Sequence, residues 1–257
     1  MTKYQPRVIT DNHTLFDEYH TLQSGDIVVG RVRLKPAEEP LLLDLVDRGI
    51  RLIPSALSQL ASRSKTLQAK LLARYMVPHT LAVYDLHDLT SAISLYGSNG
   101  IGKVVTKHDR RNAGMGIHLW PSIEEVYSQA SFGVMPLPFV LQPFYPDCRD
   151  IRVLVINDYQ EAYWRHNPDN FRNNLHCGGH STPCELTATQ HDLCQQAMDR
   201  VRFPYGHLDL MVTPDNISYI AEINLQGGIR GAKIQADEYR TRVEAVHQKW
   251  LAEELAR

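Results

Sequence analysis

The pattern of hydrophobic and polar positions predicts a small α/β unit at the start of the chain. Residues 26–34 (DIVVGRVRL) are rich in β-branched side chains, which is typical of a strand. Clustered leucines beyond them predict a helix that stops at Gly49, and residues 51–54 (RLIP) predict another short strand. We therefore expect residues 1–57 to form a small α/β domain.

Helices and strands alternate over the next part of the chain. Between Leu57 and Met76 apolar side chains recur at helical spacing, and Pro78 ends the run. We therefore expect one amphipathic helix with Lys65 near its start. The patterns that follow predict strands at 81–85 and 103–107, helices at 86–97 and near 122–131, and a hairpin over 103–120. A proline-rich segment then surrounds residues 139–144 (FVLQPF), which predicts an extended linker.

The last third of the chain predicts strands around two turns. Residues 150–164 have the alternating side-chain pattern of strands on either side of the Asn-Asp pair at 157–158. Thr187 or Thr189 can cap the helix that follows. Residues 208–224 (LDLMVTPDNISYIAEIN) predict two strands about a Pro-Asp-Asn turn. A glycine-rich loop and a C-terminal helix complete the pattern.

Candidate chemistry lies in this last hairpin. Asp209 is on its first strand, and Glu222 and Asn224 lie two residues apart on its second strand, hence on one face. The turn brings Asp209 roughly opposite Glu222, in a register that the sequence leaves open. Two carboxylates and an amide oxygen form a hard-oxygen cluster suited to Mg²⁺. Taken alone, the pattern is better explained by acidic side chains that point into solvent.

The composition of the chain mainly excludes classes of partner and location. The chain has 257 residues, 43% hydrophobic and 22% charged, enough to bury one sizeable core divided into two lobes. A net charge of -2 provides no general attraction to nucleic acid or to an anionic membrane. The opening MTKYQPRVITDNH lacks signal-peptide features, and no apolar run approaches the roughly 20 residues that span a bilayer. We therefore expect a cytoplasmic protein without a nucleic-acid or membrane partner.

The cysteines raise a second, weaker metal hypothesis. The four cysteines form no CxxC pair, so free thiols are expected. His176, Cys177 and His180, with Cys184 beyond them, place soft and nitrogen ligands close together and could hold zinc. Structural zinc sites usually show a cleaner repeated pair spacing, so free thiols remain the preferred interpretation.

Four segments of the chain resemble the ATP-grasp superfamily, and specifically its RimK-like glutamate ligases. In order and in spacing, DIRVLV, FRNNLHCGG, LDLM and AEINLQGG are similar to the family's D-I-R-x-L-V, F-R-x-N-L-H-x-G-G, V-D-[IL] and E-[VI]-N-x-x-P-G. The resemblance runs from about Arg51 to the C-terminus. It implies an α+β ATP-grasp fold over residues 58–257, behind the small α/β domain. Two α+β lobes, about 58–135 and 136–257, would clasp ATP between them.

The resemblance also implies a role for individual residues. Those implied to bind ATP are Lys65 and Lys107 at the phosphates, Gly114 and Gly116 in the loop over the γ-phosphate, Gln142 and Phe144 in the adenine-contacting connector, Asp150 at the nucleoside, and Arg172 at the triphosphate. Arg172 and Asn174 are implied at the reacting centre, and Asp209, Glu222 and Asn224 as ligands of Mg²⁺ or Mn²⁺. Arg152 and Arg230 are candidate substrate contacts.

The implied activity is ATP-dependent ligation of a carboxylate to an amine through an acyl phosphate. Metal ions and cationic side chains would offset the repulsion between the attacking carboxylate and the phosphates. A closing glycine loop would exclude water from the short-lived acyl phosphate. The expected partners are ATP, a small carboxylate, and an amine for which an amino acid such as glutamate is the leading candidate. Family members often pair, so a homo-oligomer is compatible with the resemblance.

The chain departs from the family pattern at several positions. Pro143 replaces an acidic residue after the glutamine, which puts an adenosine contact in doubt, and Ser64 replaces the Asp before Lys65. Asn224 is followed by Leu-Gln-Gly-Gly without the family's proline. Arg230 stands where the family often has an acidic or apolar residue, in a loop that usually borders the substrate. An arginine there suits a carboxylate-bearing substrate, although a solvated surface arginine explains it equally well.

Two alternatives compete with this interpretation. The run GSNGIGK at 97–103 fits the phosphate-loop pattern G-x-x-x-x-G-K, but Val104 stands where that loop needs Ser or Thr, and a strand follows instead of a helix. We therefore predict a turn there. The second alternative is a non-catalytic ATP-binding or scaffold protein that kept the fold. The retained Lys107, Asp209 and Glu222 argue against it.

Overall fold

The computed structural model describes residues 5–111, 114–173, 175 and 178–256. Its helices are α1 Asn12–Asp17, α2 Pro40–Asp47, α3 Ala56–Ala61, α4 Lys65–Leu71, α5 Leu86–Ser98, α6 Ile123–Ser131, α7 Ala188–Val201 and α8 Ala236–Leu255, with 3-10 turns at Tyr19–Thr21 and Ala73–Tyr75. Within the described ranges, none of these helices has the length and apolar content to cross a membrane.

A three-stranded parallel sheet forms the first unit. Its strands are β1 Val8–Ile9, β2 Ile27–Val29 and β3 Arg51–Ile53, in the order β1-β2-β3. The predicted strand over 26–34 therefore ends at Val29, and residues 31–34 continue as a loop. The predicted helix and second strand are present as α2 and β3. One sheet face packs on α1 and α2, and the other receives Trp250 and Leu251 of α8.

A four-stranded antiparallel sheet carries the predicted hairpin. Its strands are β4 Leu81–Val83, β5 Val104–His108, β6 Ile117–Trp120 and β7 Phe139–Pro143, in the order β4-β7-β5-β6. Helices α5 and α6 supply apolar side chains to its core. The predicted linker around FVLQPF is wrong, because β7 pairs with both β4 and β5. The sheet therefore extends past residue 135, the expected end of the first lobe.

A five-stranded antiparallel sheet completes the fold. Its strands are β8 Arg149–Ile156, β9 Tyr159–His166, β10 His180–Cys184, β11 Tyr205–Val212 and β12 Ser218–Asn224, in the order β10-β9-β8-β11-β12. Strand β10 has no period-2 pattern in its sequence, HSTPC, and was not predicted. The largest core lies on this sheet, under α7 and beside α4. Thr187, rather than Thr189, caps α7, with a reciprocal bond from Gln190.

The prediction of a single helix from Leu57 to Met76 is wrong. The chain forms α3 and α4 instead, because the Ser64 hydroxyl accepts a hydrogen bond from the Leu67 amide at 3.1 Å and begins a new helix. The side chain of Gln68 binds both backbone groups of Ile223 on β12, at 2.9 and 3.0 Å. This pair of bonds fixes α4, and with it the position of Lys65, against the five-stranded sheet.

Candidate functional site

The centre of the candidate site is the hairpin formed by β11 and β12. Asp209 lies directly opposite Glu222 in the antiparallel register, and His207 lies opposite Asn224. Because alternate residues of a strand share a face, Asp209, Glu222 and Asn224 lie on one face of the sheet. The predicted juxtaposition of the two carboxylates is confirmed, and their role as metal ligands stays a prediction.

Two arginines neutralise Asp209. Arg152 lies opposite it on β8 and donates from Nε and, at 3.3 Å, from Nη2. Arg165 reaches Asp209 from β9, one strand beyond β8, with Nη2 3.1 Å from Oδ2 of Asp209. Burial by itself would raise the pKa of Asp209, but the two guanidinium groups lower it to about 2. Asp209 is therefore ionised at neutral pH, and Arg152, a candidate substrate contact, binds a side chain of its own sheet.

Two lysines face Glu222. Lys65, the first residue of α4, places Nζ 2.9 Å from Oε1 of Glu222 and donates at 2.8 Å to the Arg111 carbonyl. Burial lowers the pKa of Lys107 on β5, Glu222 opposes that shift, and Lys65 adds to it. The two lysines and the carboxylate thus form one electrostatic cluster, although 157 residues separate Lys65 from Glu222 in the chain.

A pocket between the four-stranded and five-stranded sheets borders these lysines. Its wall includes the polar Lys65, Lys107 and Gln142 and the apolar Met76, Val140 and Ile220. The apolar side chains are of the kind that bury a nucleotide base, and the two lysines supply the positive charge that its phosphates need. Three of the residues predicted to contact ATP therefore come together.

Two other predicted nucleotide contacts lie elsewhere among the described residues. Phe144 follows β7 and packs edge-on against Phe171, with ring centroids 6.3 Å apart, and does not line the pocket. The carboxylate of Asp150 is held by Arg165, with Nη2 2.9 Å from Oδ2. Burial raises the pKa of Asp150, and Arg165 opposes that rise. Asp150 therefore shares an arginine with Asp209 and belongs to the charged network beneath the pocket.

The glycine loop between β5 and β6 is anchored at its start. Oδ1 of Asp109 accepts hydrogen bonds from the Thr66 amide and the Ser64 hydroxyl, both at 3.1 Å. Asp109 thus supplies a carboxylate at the start of α4, where Ser64 replaces the family's Asp. Gly114 has a φ of +75°, a left-handed conformation that glycine tolerates. A Cβ at Gly116 would lie 2.5 Å from the Arg111 Cβ, so the loop closes on itself there.

The predicted catalytic residues are only partly described. Arg172 lies between β9 and β10 and donates from Nε to the Ile117 carbonyl of β6 at 3.1 Å. Asn174 lies outside the described residues. Arg230 is exposed and donates to the Leu175 carbonyl at 3.4 Å. Among the described contacts, neither arginine forms an ion pair with Asp209 or Glu222.

The segment after Asn224 packs tightly on the carboxylate cluster. A Cβ at Gly227 would lie 2.8 Å from both Arg152 Nη1 and His207 Nδ1. His207 is buried, and its Nε2 lies 2.9 Å from the Tyr239 hydroxyl, whereas no described group partners its Nδ1. Glycine at 227 therefore permits a close approach of the backbone to the side chains around Asp209.

The donor set of the hairpin fits a magnesium ion. Two carboxylates and the Asn224 amide share a face, which is the hard-oxygen chemistry that Mg²⁺ takes when substrate phosphates and water complete the shell. Each carboxylate is balanced by a cation, Asp209 by arginines and Glu222 by Lys65. No cluster of three His, Cys, Asp or Glu ligands occurs in the part of the chain that the structure describes.

The zinc hypothesis gains no support. His176 and Cys177 lie outside the described residues. His180 and Cys184 occupy opposite ends of β10, and four residues of strand span about 13 Å at ~3.3 Å per residue. The described residues therefore leave the two remaining candidate ligands far apart along the strand.

Sequence reasoning missed Arg165, which binds both aspartates. A signal was available, because a two-residue turn at 157–158 sets the register of β8 against β9 and places Asp150 opposite Arg165. It also missed the ion pair of Arg110 with Glu39, which joins the glycine loop to the N-terminal unit. No local sequence pattern indicates that contact.

The chain matches the RimK-like ATP-grasp domain over residues 62–240. The glutathione synthetase of Agrobacterium fabrum (strain C58) is 28% identical over 173 residues, which cover 60% of this chain and 49% of that protein. A probable alpha-L-glutamate ligase of Histophilus somni (strain 2336) is 28% identical over 154 residues, covering 58% of this chain and 47% of that protein. The chain therefore spans about half the length of these curated relatives.

The fold is also that of solved ATP-grasp structures. The crystal structure of the D-cycloserine synthetase DcsG superposes with a TM-score of 0.64 at 13% sequence identity. The match covers 95% of this chain and 99% of that one. An agreement of this extent at such low identity establishes the architecture, including the small first unit.

Proposed function

Because the chain belongs to the RimK-like ATP-grasp family, we propose that it is an ATP-dependent ligase that joins a carboxylate to an amine. The family uses ATP with a divalent metal ion. An amino acid such as glutamate is the proposed amine, since one relative is named a probable alpha-L-glutamate ligase. The alternative, a non-catalytic ATP-binding scaffold, is an outcome of the test below.

One observation carries the proposal. The pocket wall brings Lys65, Lys107 and Gln142 together, and Lys65 is ion-paired at 2.9 Å with Glu222, directly opposite Asp209. A nucleotide in this pocket would have its phosphates beside both the lysines and the carboxylates. Phosphoryl transfer requires cations and a metal ion beside the phosphates, and these lysines and carboxylates would supply the charge and the ligands for both.

The proposed reaction has two steps. A carboxylate oxygen of the substrate attacks the γ-phosphorus of ATP, the bond to the β-phosphate oxygen breaks, and ADP leaves. The amine nitrogen then attacks the acyl carbon, phosphate leaves, and the amine loses a proton. Lys65 and Lys107 would stabilise negative charge on the phosphates during the first step. The glycine loop anchored by Asp109 would exclude water until the second step is complete.

Asp209, Glu222 and Asn224 are the residues proposed to hold Mg²⁺. When bound, the ion would supply charge neutralisation between the β- and γ-phosphates. The ionised state of Asp209, maintained by Arg152 and Arg165, keeps a hard anionic ligand available at neutral pH. Lys65 would hold Glu222 in place until the ion and nucleotide arrive.

The test compares neutral replacements of the two carboxylates. Asp209→Asn and Glu222→Gln preserve side-chain shape and remove charge, so we expect Mg-dependent ADP release to fall at least 100-fold. ADP release is measured against a pool of amino acids and small carboxylic acids, with mass detection of a product lighter than its substrates by one water. Asp215→Asn, in the exposed turn of the same hairpin, is the matched control and should retain full activity.

Two results would contradict the proposal. ATP binding by the native protein without ADP release in any mixture would favour the scaffold alternative. Unchanged Mg-ATP affinity after removal of both carboxylates, measured by titration calorimetry, would refute the metal assignment of Asp209 and Glu222.

A further inference from the structure

The loop after β2 places an arginine beside the segment that follows the hairpin of β11 and β12. Nη1 of Arg31 donates to the side-chain oxygen of Gln226 across a separation of 195 residues. Gln226 is bonded to Gly227, which packs against Arg152 and His207. Arg31 therefore stands one loop residue away from the Arg152–Asp209 pair.

The backbone that carries Arg31 is held rigidly. The side chain of Asn12 donates to the Arg31 carbonyl at 3.2 Å and accepts from the Arg33 amide at 2.6 Å. Between these bonds, the Val32 amide donates to Gln59 Oε1 at 2.9 Å. Three side-chain hydrogen bonds to consecutive residues fix the position of the Arg31 Cα. Such preorganisation is characteristic of a binding residue, because little ordering remains when a ligand arrives.

The charge of Arg31 has no acidic partner among the described residues. Its one described side-chain hydrogen bond goes to the neutral amide oxygen of Gln226. The arginines that do form ion pairs with carboxylates in the described structure are Arg7, Arg48, Arg51, Arg110, Arg152, Arg165, Arg240 and Arg242. A guanidinium has five N–H donors, so most of those on Arg31 remain available to a ligand.

A second arginine strengthens the positive field at this point. Arg63 donates to the backbone carbonyls of Val32 and Leu34, and its Nε is buried without a described partner. Burial lowers the pKa of Arg63, Arg31 and Arg110 lower it further, and Glu39 opposes the shift. A carboxylate bound by Arg31 would add negative charge beside these cations and form charge-assisted hydrogen bonds.

We propose that Arg31 binds a non-reacting carboxylate of the ligase substrate, so that the protein selects an amino acid or peptide bearing a free acid besides its reacting group. This inference rests on the proposed function and deepens it by naming the substrate class. The bidentate geometry of a guanidinium matches a carboxylate, which explains the use of arginine rather than lysine here. Gln226, as a neutral partner, holds the side chain in place and yields to the stronger anionic acceptor.

The test separates carboxylate binding from turnover. Saturation-transfer difference NMR is recorded with Mg-ADP and L-glutamate, L-glutamine or L-isoglutamine, on the native protein and on Arg31→Gln. The last two ligands each lack one of the carboxylates of glutamate. We expect the glutamate signal to fall at least 10-fold in Arg31→Gln, and the signal of one of the two amides to be unaffected. Arg33→Gln, two residues away and exposed, is the matched control and should bind as the native protein does.

Kinetics provides the second readout. For the substrate found by ADP release, kcat/KM of Arg31→Gln should fall at least 10-fold, with the KM for ATP unchanged within twofold. Arg31→Lys retains the charge, so its kcat/KM should fall less than that of Arg31→Gln. Thermal unfolding of all three variants shows whether each one folds. If Arg31→Gln does not fold, the test is made with Arg31→Lys, for which we expect a smaller loss of binding that affects the acid alone.

Each outcome has one meaning for Arg31. Equal carboxylate binding by the native protein and Arg31→Gln, or equal losses for the acid and both amides, would overturn the assignment while the proposed function stands. Absence of any carboxylate signal with the native protein would overturn it as well. Absence of ADP release with an Arg31-dependent carboxylate signal would count against the proposed function and support the binding role.

Discussion

Gly227 has no room for a side chain, and this makes Gly227→Ala a sharp probe of the carboxylate cluster. The new Cβ would lie 2.8 Å from Arg152 Nη1, 2.8 Å from His207 Nδ1 and 2.9 Å from the Cγ of His207. Ordinary contacts begin at 3.4 Å, so both neighbours, or the loop that carries residue 227, must move by about 0.6 Å. His207 is buried and bonded to Tyr239, so relief of its clash displaces the loop or the histidine, and relief of the other clash disturbs the contacts of Arg152 with Asp209.

The magnitude follows from the cost of overpacking a tight site, which is about 1–3 kcal/mol. A loss of that size lowers the melting temperature by roughly 2–12 °C in a protein of this length, at about 2–4 °C per kcal/mol. Since Asp209 is a proposed metal ligand, we also expect ADP release to decrease at least 10-fold. Urea unfolding and ADP release on the same preparation measure both effects.

Gly228→Ala is the matched control, because a Cβ at Gly228 meets no atom within 4 Å and its φ is not in the left-handed region. Without a clash, Gly→Ala stabilises by about 0.4–1 kcal/mol through the unfolded chain. The two variants should therefore differ in the sign of their stability change. Equal urea midpoints for both would refute the steric reasoning, as would additive effects of Gly227→Ala and His207→Ala in a double-mutant cycle.

Two further predictions concern buried charged and titratable groups. Arg165→Met leaves Asp150 and Asp209 without a shared cation and should lower the free energy of unfolding in urea by about 3–5 kcal/mol. Arg165→Lys keeps the charge and should lower it less, and equal losses for the two variants would contradict the ion-pair account. Burial lowers the pKa of His247, and Glu244 opposes that shift. As pH falls below about 6.5, the unfolded chain therefore binds a proton before the native state does, and stability is lost. Between pH 7 and pH 5 the native protein should lose more stability than His247→Gln, by at most about 1.4 kcal/mol per pH unit. Urea midpoints that fall equally with pH in the two proteins would contradict this.

Local patterns predicted most elements, and their failures have identifiable causes. The helix expected from Leu57 to Met76 is divided because Ser64 caps a second helix, a local signal that the hydrophobic spacing concealed. The segment expected to be a linker is the strand β7, buried between two neighbours. Its Pro143 is tolerated because pairing with β4 ends at Leu141, so the missing N–H of Pro143 faces no β4 residue.

The sequence by itself determined the family, through four motifs in register, and placed Asp209 roughly opposite Glu222 across one short turn. The direct pairing of the two carboxylates was decided by the structure, because the register of β11 against β12 shifts by one residue between Asp209 and Leu210. Only the tertiary structure decided what balances those charges. Lys65 reaches Glu222 across 157 residues, and Arg31 reaches Gln226 across 195. Contacts of this kind depend on how whole sheets and helices pack. The hydrophobic pattern of a short segment does not indicate which distant side chain will lie across a cleft from it.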